Sequence, residues 1–318
     1  MVKLFIGGGH IEAEVSEFYC NDLPIFFART ARRTYLHDSE PFYNVPRMIF
    51  GSMPNDGGGL LLSPAERDEL VAKNPLAAKY VRQFVGANEF INNLPRYCLW
   101  LVDCPPNELR RMPLVYQRVQ DVRKYRLMSK REATRNLADT PWLFGERRQP
   151  KTEYLLVPRV SSERRDYIPI GYMPSEIICS DANLMIPGAK LWHFGVLTSL
   201  PHMAWMRVVC GRLTSRYRYS ATVVYNNFAW PPFSREVERT AMAILTARAN
   251  YPDASYADLY DPLTMPKDLR RAHEANDRAV MEAYDFPRGM SEEQMFLALQ
   301  ELYRRLMNLQ KIFEEVTT

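Results

Sequence analysis

The sequence lacks an apolar run long enough to cross a membrane. Hydrophobic residues make up 47% of its 318 residues, but they never form the run of about 18 that a membrane-spanning helix needs. The first ten residues hold one lysine and a very short apolar run, which is too little for a signal peptide. The sequence therefore predicts a cytoplasmic protein without a membrane partner.

Cysteine and histidine are both scarce, with five of each. The cysteines are odd in number and unpaired in spacing, which predicts reduced and mostly buried thiols. No metal-ligand spacing links the histidines to one another or to the cysteines. His193 and His202 are expected to be satisfied core histidines. A Cys–His nucleophile pair would have to form in space, because nothing local supports one.

Motifs for adenine methylation are missing. Such enzymes use Asn or Asp, two prolines and then Tyr or Phe, because the first side chain accepts hydrogen bonds from the adenine amino group and the ring stacks on the flipped base. Asp103–Asn107 has an inserted cysteine and no aromatic residue. Trp230–Phe233 places an indole, which only donates, where an acceptor is required. Neither segment fits.

Cofactor and nuclease motifs are missing as well. The glycine clusters at 7–9 and 57–59 lack the strand–GxGxxG–helix context of a nucleotide site. None of the nine lysines follows an Asp or Glu by two residues, the spacing of common metal-dependent nucleases. The sequence therefore predicts that this chain by itself has no catalytic centre, no cofactor and no metal.

Positive charge is concentrated in the middle of the chain. Residues 105–231 hold 20 Lys/Arg against 10 Asp/Glu, whereas residues 1–104 hold 10 against 12 and residues 232–318 hold 11 against 15. Two interpretations remain open on charge alone: a polyanion-binding surface, or a basic face that only meets solvent.

Local patterns predict a mixed α/β region followed by a helical one, which is an α+β fold class. Capping boxes at Ser63, Ser129 and Ser291 predict helix starts, and a buried helix is expected over residues 200–213. Strands are expected at 97–102, 154–157, 167–170 and 222–225. The break at Trp230–Pro232 divides the chain into a domain at 1–231 and a helical domain at 232–318.

The last predicted helix carries apolar residues at coiled-coil-like spacing. These residues are Met295, Leu299, Leu302, Leu306, Leu309 and Phe313. Because the seam is shorter than three heptads, packing within a local helical bundle is favoured over dimerisation.

An alternation of arginine and tyrosine occupies residues 211–220. If the segment is extended, Arg212, Thr214, Arg216 and Arg218 share one face, and Tyr217 and Tyr219 face the other way. A row of guanidinium groups suits guanine O6 and N7 in the major groove. An exposed strand without a partner is the alternative.

Further basic and hydroxyl side chains precede this segment and offer contacts to DNA phosphates. The candidates are Arg147, Arg148, Lys151, Arg159, Ser161, Ser162, Arg164 and Arg165.

Nine segments, in order along the chain, resemble the MmeI-like (type IIL) family of fused DNA methyltransferase–endonucleases. They are Val45–Gly58, Glu89–Asn92, Arg96–Leu101, Arg148–Thr152, Ser161–Arg165, His193–Ser199, His202–Trp205, Tyr225–Phe228 and Leu259–Pro266. The resemblance covers about residues 45–285, and residues 1–44 match poorly.

The resemblance implies a DNA target-recognition domain and a C-terminal helical region. It places base readout at Ala182, Thr214, Ser215, Arg216 and Arg218. The S-adenosylmethionine site, the adenine pocket and the magnesium-dependent nuclease would lie upstream, in other domains of a longer polypeptide that methylates adenine N6. The implied partners are double-stranded DNA and those domains, with a free-standing specificity subunit as an alternative.

Two other functions remain open from the residues. One is an independent enzyme with unrecognised Cys–His chemistry, which activity of the isolated chain would reveal. The other is a protein-interaction module built on the C-terminal helices, which would bind a partner without salt dependence and without affinity for duplex DNA.

Overall fold

The computed structural model describes Pro41 and residues 43–317, with side chains described as far as Asn308. Several expectations lie outside these residues. They concern the first ten residues with their glycine cluster, Cys20, His37 and the side chains of Leu309 and Phe313.

Eleven short strands lie in the described part of the chain. They are β1 (Ile49–Phe50), β2 (Leu61–Leu62), β3 (Val81–Val85), β4 (Tyr97–Leu99), β5 (Tyr154–Pro158), β6 (Val160–Ser161), β7 (Gly171–Met173), β8 (Ile178–Cys179), β9 (Asn183–Pro187), β10 (Gly211–Leu213) and β11 (Arg216–Arg218).

The strands form three sheets. The first is antiparallel, in the order β1-β9-β5-β7, and every residue of its inner strand β5 is buried. The second has the order β2-β4-β3-β8 and contains a parallel pair, β3 with β8. The third is β10-β11-β6. Because β6 follows β5 after one residue, the third sheet continues directly from the first.

The α-helices of the described residues cluster in three parts of the chain. They are α1 (Pro64–Lys73), α2 (Ala87–Asn92), α3 (Pro106–Arg110), α4 (Pro113–Leu127), α5 (Glu132–Asn136), α6 (Leu191–Leu197), α7 (Leu200–Val209), α8 (Arg235–Ala249), α9 (Tyr256–Leu259), α10 (Lys267–Ala283) and α11 (Glu292–Thr317). Helix α4 packs on the second sheet through Val115, Val119 and Val122. No described helix is long and apolar enough to cross a membrane.

Helix α7 is the centre of the largest core. Eight of its ten residues are buried, and Trp205 donates through Nε1 to the carbonyl of Val224 at 3.0 Å. Helix α11 contributes Phe296, Leu299 and Tyr303 to the same core. A single hydrophobic cluster therefore extends from Met48 to Tyr303, on both sides of Pro231. The domain division at residue 231 remains a sequence-based prediction.

The C-terminal helices contact the mixed region through a close helix pair. A Cβ added to Gly195 of α6 would lie 2.8 Å from Cγ1 of Val237 on α8. Asn276 of α10 donates to the Gly195 carbonyl at 2.8 Å, and it accepts from Thr240 Oγ1 at 3.0 Å. This packing requires glycine at position 195, because any side chain would separate the helices.

The α+β fold class is confirmed, with mixed sheets and a helical C-terminal region. Capping boxes form at Ser63 and Ser291 as predicted. Met295 and Leu299 pack into the main core, which agrees with local helical packing for the part of α11 whose side chains are described.

Four local predictions are wrong in whole or in part. The helix expected over residues 200–213 ends at Val209, and Gly211–Leu213 form strand β10. Ser129 does not cap a helix: its Oγ accepts the Arg131 N–H, and α5 begins at Glu132. The strand expected at 167–170 forms instead at Gly171–Met173. The strand expected at 222–225 is a π-helical turn over Ala221–Tyr225. Asn227, just after the turn, stabilises it, because its Nδ2 donates to the Thr222 carbonyl at 2.7 Å.

Candidate nucleic-acid interface

The segment 211–220 is a β-hairpin and not the single extended strand expected. In its register Arg212 pairs with Tyr217 and Leu213 with Arg216, so Thr214 and Ser215 form a two-residue loop. Thr214 has a φ of 57°, which lies in the left-handed region that β-branched residues rarely adopt. The hairpin pairs with β6, where Tyr217 lies opposite Ser161.

The hairpin register changes which side chains share a face. Cross-strand partners lie on the same face of a sheet, so Arg212 shares the face of Tyr217. Its guanidinium lies 4.1 Å from the centre of the Tyr217 ring and donates to the carbonyls of Ser215 and Arg207. The expectation that Arg212 lines up with Arg216 and Arg218 is therefore wrong.

Arg216 and Arg218 face solvent because alternate residues of the same strand are anchored in the core. Tyr217 is 6% exposed and Tyr219 is 3% exposed. The Tyr219 hydroxyl lies 2.9 Å from His202 Nε2, and burial raises the pKa of Tyr219 well above its ordinary value. Arg216 and Arg218 are exposed and make no hydrogen bond or ion pair with any described residue. Their donors remain available to a ligand.

Arg159 connects the hairpin to Ala182. Its backbone N–H donates to the Ala182 carbonyl at 3.2 Å, and its own carbonyl accepts from the Tyr219 N–H at 2.8 Å. Burial lowers the pKa of Arg159, and the nearby charge of Arg218 lowers it further. The exposed Ala182 therefore lies beside the hairpin, as expected, with Arg159 between them.

Phe50 is a candidate that the sequence analysis did not single out. Its side chain is 40% exposed, with the guanidinium of Arg159 at 4.8 Å and that of Arg148 at 5.8 Å from the ring centre. Phe50, Arg159 and Arg218 also line a cleft of about 460 Å³. Side chains alternate between the two faces of a strand, so either Ile49 or Phe50 must face away from the core. This alternation is the only indication of an exposed Phe50 that is available from the sequence.

We call the surface formed by these side chains the arginine edge. It comprises Phe50, Arg148, Arg159, Ala182, Arg216 and Arg218. Arg148 is held there by hydrogen bonds from its Nη1 to the Gly51 carbonyl, at 3.1 Å, and from its backbone N–H to Ser52 Oγ, at 3.0 Å. It also forms an ion pair with Glu146.

The loop after β6 brings further predicted phosphate contacts near the hairpin. Arg164 is exposed, and Ser162 Oγ accepts its backbone N–H at 3.3 Å. Burial lowers the pKa of the half-buried Arg165, with Asp261 opposing and Arg216 adding to the effect. Ser161 is 3% exposed, so its hydroxyl is too buried to make the predicted contact with a phosphate.

Glu163 places negative charge at the tip of the hairpin. A backbone hydrogen bond lowers the pKa of Glu163, and the Ser215 hydroxyl and the charges of Arg164 and Arg216 lower it further. The carboxylate is therefore ionised at neutral pH. Its negative charge partly offsets the positive charges of Arg164 and Arg216, and it accepts a hydrogen bond from the Ser215 hydroxyl.

Arg147 and Lys151 lie away from the hairpin. Arg147 is exposed and donates to the Phe144 carbonyl at 3.0 Å. Lys151 is exposed in the loop before β5, three residues after Arg148, whereas Arg159 follows the opposite end of that strand. Five residues of strand separate Lys151 from Arg159 by roughly 17 Å, so the predicted phosphate contacts do not form one compact cluster.

The histidines and acidic side chains of the described residues bear on whether these residues could hold a metal ion. No group of three or more His, Cys, Asp and Glu side chains among them has the geometry to hold a metal ion. His193 is half-buried, and burial lowers its pKa. His202 is buried, and burial lowers its pKa to about 3. Both are therefore neutral near pH 7, as expected of core histidines.

Two family models match the chain almost end to end. The one described as the MmeI target recognition domain matches residues 33–232, and the one described as the MmeI C-terminal domain matches residues 231–310. The resemblance identified from the sequence is confirmed.

Known proteins agree with this assignment. DNA methyltransferase A of Bacillus subtilis (strain 168) is 34% identical over 324 residues, which cover 96% of this chain and 36% of that protein. The solved structure of the type IIL restriction-modification enzyme MmeI in complex with DNA has a TM-score of 0.84 and 43% identity, covering 86% of this chain and 37% of that one. The chain thus spans little more than a third of either relative. It belongs to the MmeI family, whose target recognition and C-terminal domains it matches.

Proposed function

We propose that this chain recognises a specific sequence in duplex DNA on behalf of a larger restriction-modification enzyme. Bases are read at Ala182, Arg216 and Arg218 of the arginine edge and at Thr214 and Ser215 in the hairpin loop. Arg147, Arg148, Lys151, Ser162, Arg164 and Arg165 hold the sugar–phosphate backbone.

The observation that carries the proposal is the pair of unpartnered guanidinium groups on a rigid hairpin. Arg216 and Arg218 are exposed, while Tyr217 and Tyr219 fix the same strand in the core. A strand anchored in this way presents its donors with little loss of backbone freedom on binding. Two forked guanidiniums suit guanine O6 and N7, the commonest specific contact in the major groove.

The catalytic steps belong to other domains of that enzyme. S-adenosylmethionine would supply the methyl group for adenine N6, and magnesium would serve the nuclease. In this proposal the chain orients the duplex, and methyl transfer and cleavage take place in those other domains. The assembled enzyme would work in the cytoplasm, where its DNA is found.

Binding of the isolated chain to labelled duplex DNA of mixed sequence tests the proposal. Because phosphate contacts release counterions, affinity is expected to fall roughly a thousandfold between about 50 and 200 mM salt if about six phosphates are contacted. Fluorescence anisotropy at several salt concentrations measures this slope. Arg164→Ala and Lys151→Ala should each weaken binding to all sequences alike.

Arg288→Ala is the matched control, because its side chain is 90% exposed and lies between α10 and α11. It removes the same charge and should leave affinity unchanged. Binding that does not respond to salt would favour a protein-interaction module over DNA recognition.

A further inference from the structure

More than half of the net positive charge of residues 105–231 lies in a part of the chain outside the arginine edge. Residues 105–136, which form α3, α4 and α5, hold nine Lys/Arg against three Asp/Glu. The proposed reading residues all lie outside this part of the chain. The charge on these helices therefore needs its own explanation.

A groove of about 300 Å³ lies beside α3 and α4 and collects part of that charge. Arg110 and Arg123 line it, and both are exposed and make no hydrogen bond or ion pair with any described residue. Tyr116, which is 42% exposed, and the half-buried Trp142 add two aromatic rings. Asp139 is the single acidic residue among those lining it.

Helix periodicity explains why Tyr116 and Arg123 lie on the same side of α4, facing the groove. Val115, Val119 and Val122 form the buried stripe of α4. Tyr116 and Arg123 are seven residues apart, nearly two turns, so they share a neighbouring stripe beside the buried one. A solvated helix face alone would not be expected to combine two unpartnered arginines with two rings.

A short stretch of chain connects the groove to the arginine edge. Trp142 lines the groove, and Arg148, six residues later, lies over Phe50. Six residues span at most about 20 Å, which is close to six base pairs at roughly 3.4 Å each. The exposed Arg147 lies within this stretch, so basic side chains recur between the two surfaces.

We propose that the groove at α3 and α4 is a second, sequence-independent DNA contact that binds phosphates of the duplex flanking the target. The inference rests on the proposed function, because it takes duplex DNA as the partner. Arg110 and Arg123 donate to phosphate oxygens, and the rings of Tyr116 and Trp142 pack against the sugars. Because the groove reads no base edge, it contributes affinity and not specificity.

The test compares two duplexes of mixed sequence with the isolated chain at low salt. One is a hairpin duplex of about five base pairs, too short to reach both surfaces, and the other is about three helical turns long. In the double variant Arg110→Ala/Arg123→Ala, affinity for the long duplex should fall at least tenfold, and its salt slope should become shallower by about 2. The short duplex should lose at most about twofold, because it still binds the arginine edge.

Two controls separate this contact from misfolding and from general charge effects. Arg110→Lys/Arg123→Lys should retain the salt slope for the long duplex, and Arg288→Ala should leave both affinities unchanged. Thermal unfolding followed by circular dichroism should show the same midpoint for the double alanine variant and the wild type.

Each alternative result has a distinct meaning. If the double alanine variant binds the long duplex with unchanged affinity and slope, the groove does not contact DNA, and a protein domain is the better occupant. If both duplexes lose affinity equally, the groove belongs to the same contact as the arginine edge. If the wild type binds neither duplex, the proposed function itself fails.

Discussion

Arginines in two regions of this molecule have opposite surroundings. Arg126 on α4 is completely buried, and its guanidinium donates to the carbonyls of Pro54, Asn55, Leu137, Thr140 and Leu143. Arg216 and Arg218 on the hairpin are exposed and make no hydrogen bond with any described residue. The first kind of arginine fixes the chain, and the second kind is left for a partner.

The difference shows how burial and hydrogen bonding separate structural from functional residues of the same type. A buried guanidinium persists only if its donors are satisfied, and Arg126 meets that requirement with backbone carbonyls from two loops. The hairpin arginines are hydrated in the free protein, so they add little to stability and can exchange water for base edges. The predictions below test that separation.

The largest effect is expected from Arg126→Ala. The change removes five donors from carbonyls in the loops at 54–55 and 137–143. The carbonyls of Pro54, Leu137 and Thr140 keep a backbone donor, whereas those of Asn55 and Leu143 lose the hydrogen bond described for them, at about 1–3 kcal/mol each. Together with the lost packing of a buried side chain, this should lower the free energy of unfolding by roughly 3–5 kcal/mol. Urea unfolding followed by circular dichroism measures the change.

Arg123→Ala, less than one turn away on the same helix, is the control, and it should stay within about 0.5 kcal/mol of the wild type. Equal losses for the two variants would mean that burial does not separate the two kinds of arginine in this protein.

A smaller effect is expected at the junction with the C-terminal helices. Asp277 of α10 is 7% exposed and accepts from the Tyr167 hydroxyl at 2.6 Å and the Leu200 N–H at 2.7 Å. Burial raises the pKa of Asp277 to about 6 from 3.8. The folded protein therefore keeps a proton that the unfolded chain loses, and the contribution of Asp277 to the free energy of unfolding should fall as pH rises from about 4 to 6, by on the order of 3 kcal/mol.

Asp277→Asn isolates this contribution, because the amide has no proton to lose. The stability of the variant relative to the wild type should rise over that pH range, as measured by urea unfolding at each pH. His202 and His273, whose pKa values are lowered by burial, act equally in both proteins and cancel. Parallel stability curves would show that folding does not raise the pKa of Asp277.

Substitutions on the arginine edge should change recognition and leave stability intact. In the full-length enzyme, Arg218→Ala should relax one base position, with a loss of about 1–3 kcal/mol of discrimination. The small, exposed Ala182 beside it leaves room for the long side chain. Changing Thr214 and Arg216 together should alter a second position. Methylation mapping by sequencing reads out both.

A uniform loss of methylation at every position would show that these residues hold the DNA backbone or the fold. If neither variant changes the recognised sequence, the hairpin does not face DNA.

Elements that depend on neighbouring residues were predictable from the sequence. The capping boxes at Ser63 and Ser291 form, since both hydrogen bonds lie within four residues. Residues 221–225 were not predictable, because their apolar and β-branched composition suits a strand. Side chains outside the turn stabilise it: Trp205 of α7 and the nearby Asn227 donate to the turn's carbonyls and replace the partners that a neighbouring strand would supply.

The site was predicted in composition and only partly in geometry. Burial of Tyr217 and Tyr219 and exposure of Arg216 and Arg218 follow from simple alternation. The face on which Arg212 lies could not be predicted in this way. The turn at Thr214–Ser215 lacks the glycine or asparagine that is typical of two-residue hairpin loops, so the sequence does not indicate a hairpin. Phe50 was missed because its two guanidinium neighbours, Arg148 and Arg159, are about 100 residues away in sequence.

The smallest effect concerns the hairpin tip, where a functional position also carries backbone strain. Thr214 has a φ of 57°, and a β-branched residue there costs about 1 kcal/mol relative to one that tolerates the left-handed region. Asparagine tolerates it well, so Thr214→Asn should raise the free energy of unfolding by about 0.5 kcal/mol. The same change should alter the base position assigned to Thr214 and Arg216. Ser215→Asn is the control, since no positive φ occurs at Ser215. A gain in stability without any change in the recognised DNA sequence would mean that Thr214 serves neither stability nor base recognition. The hairpin tip would then lie outside the DNA contact.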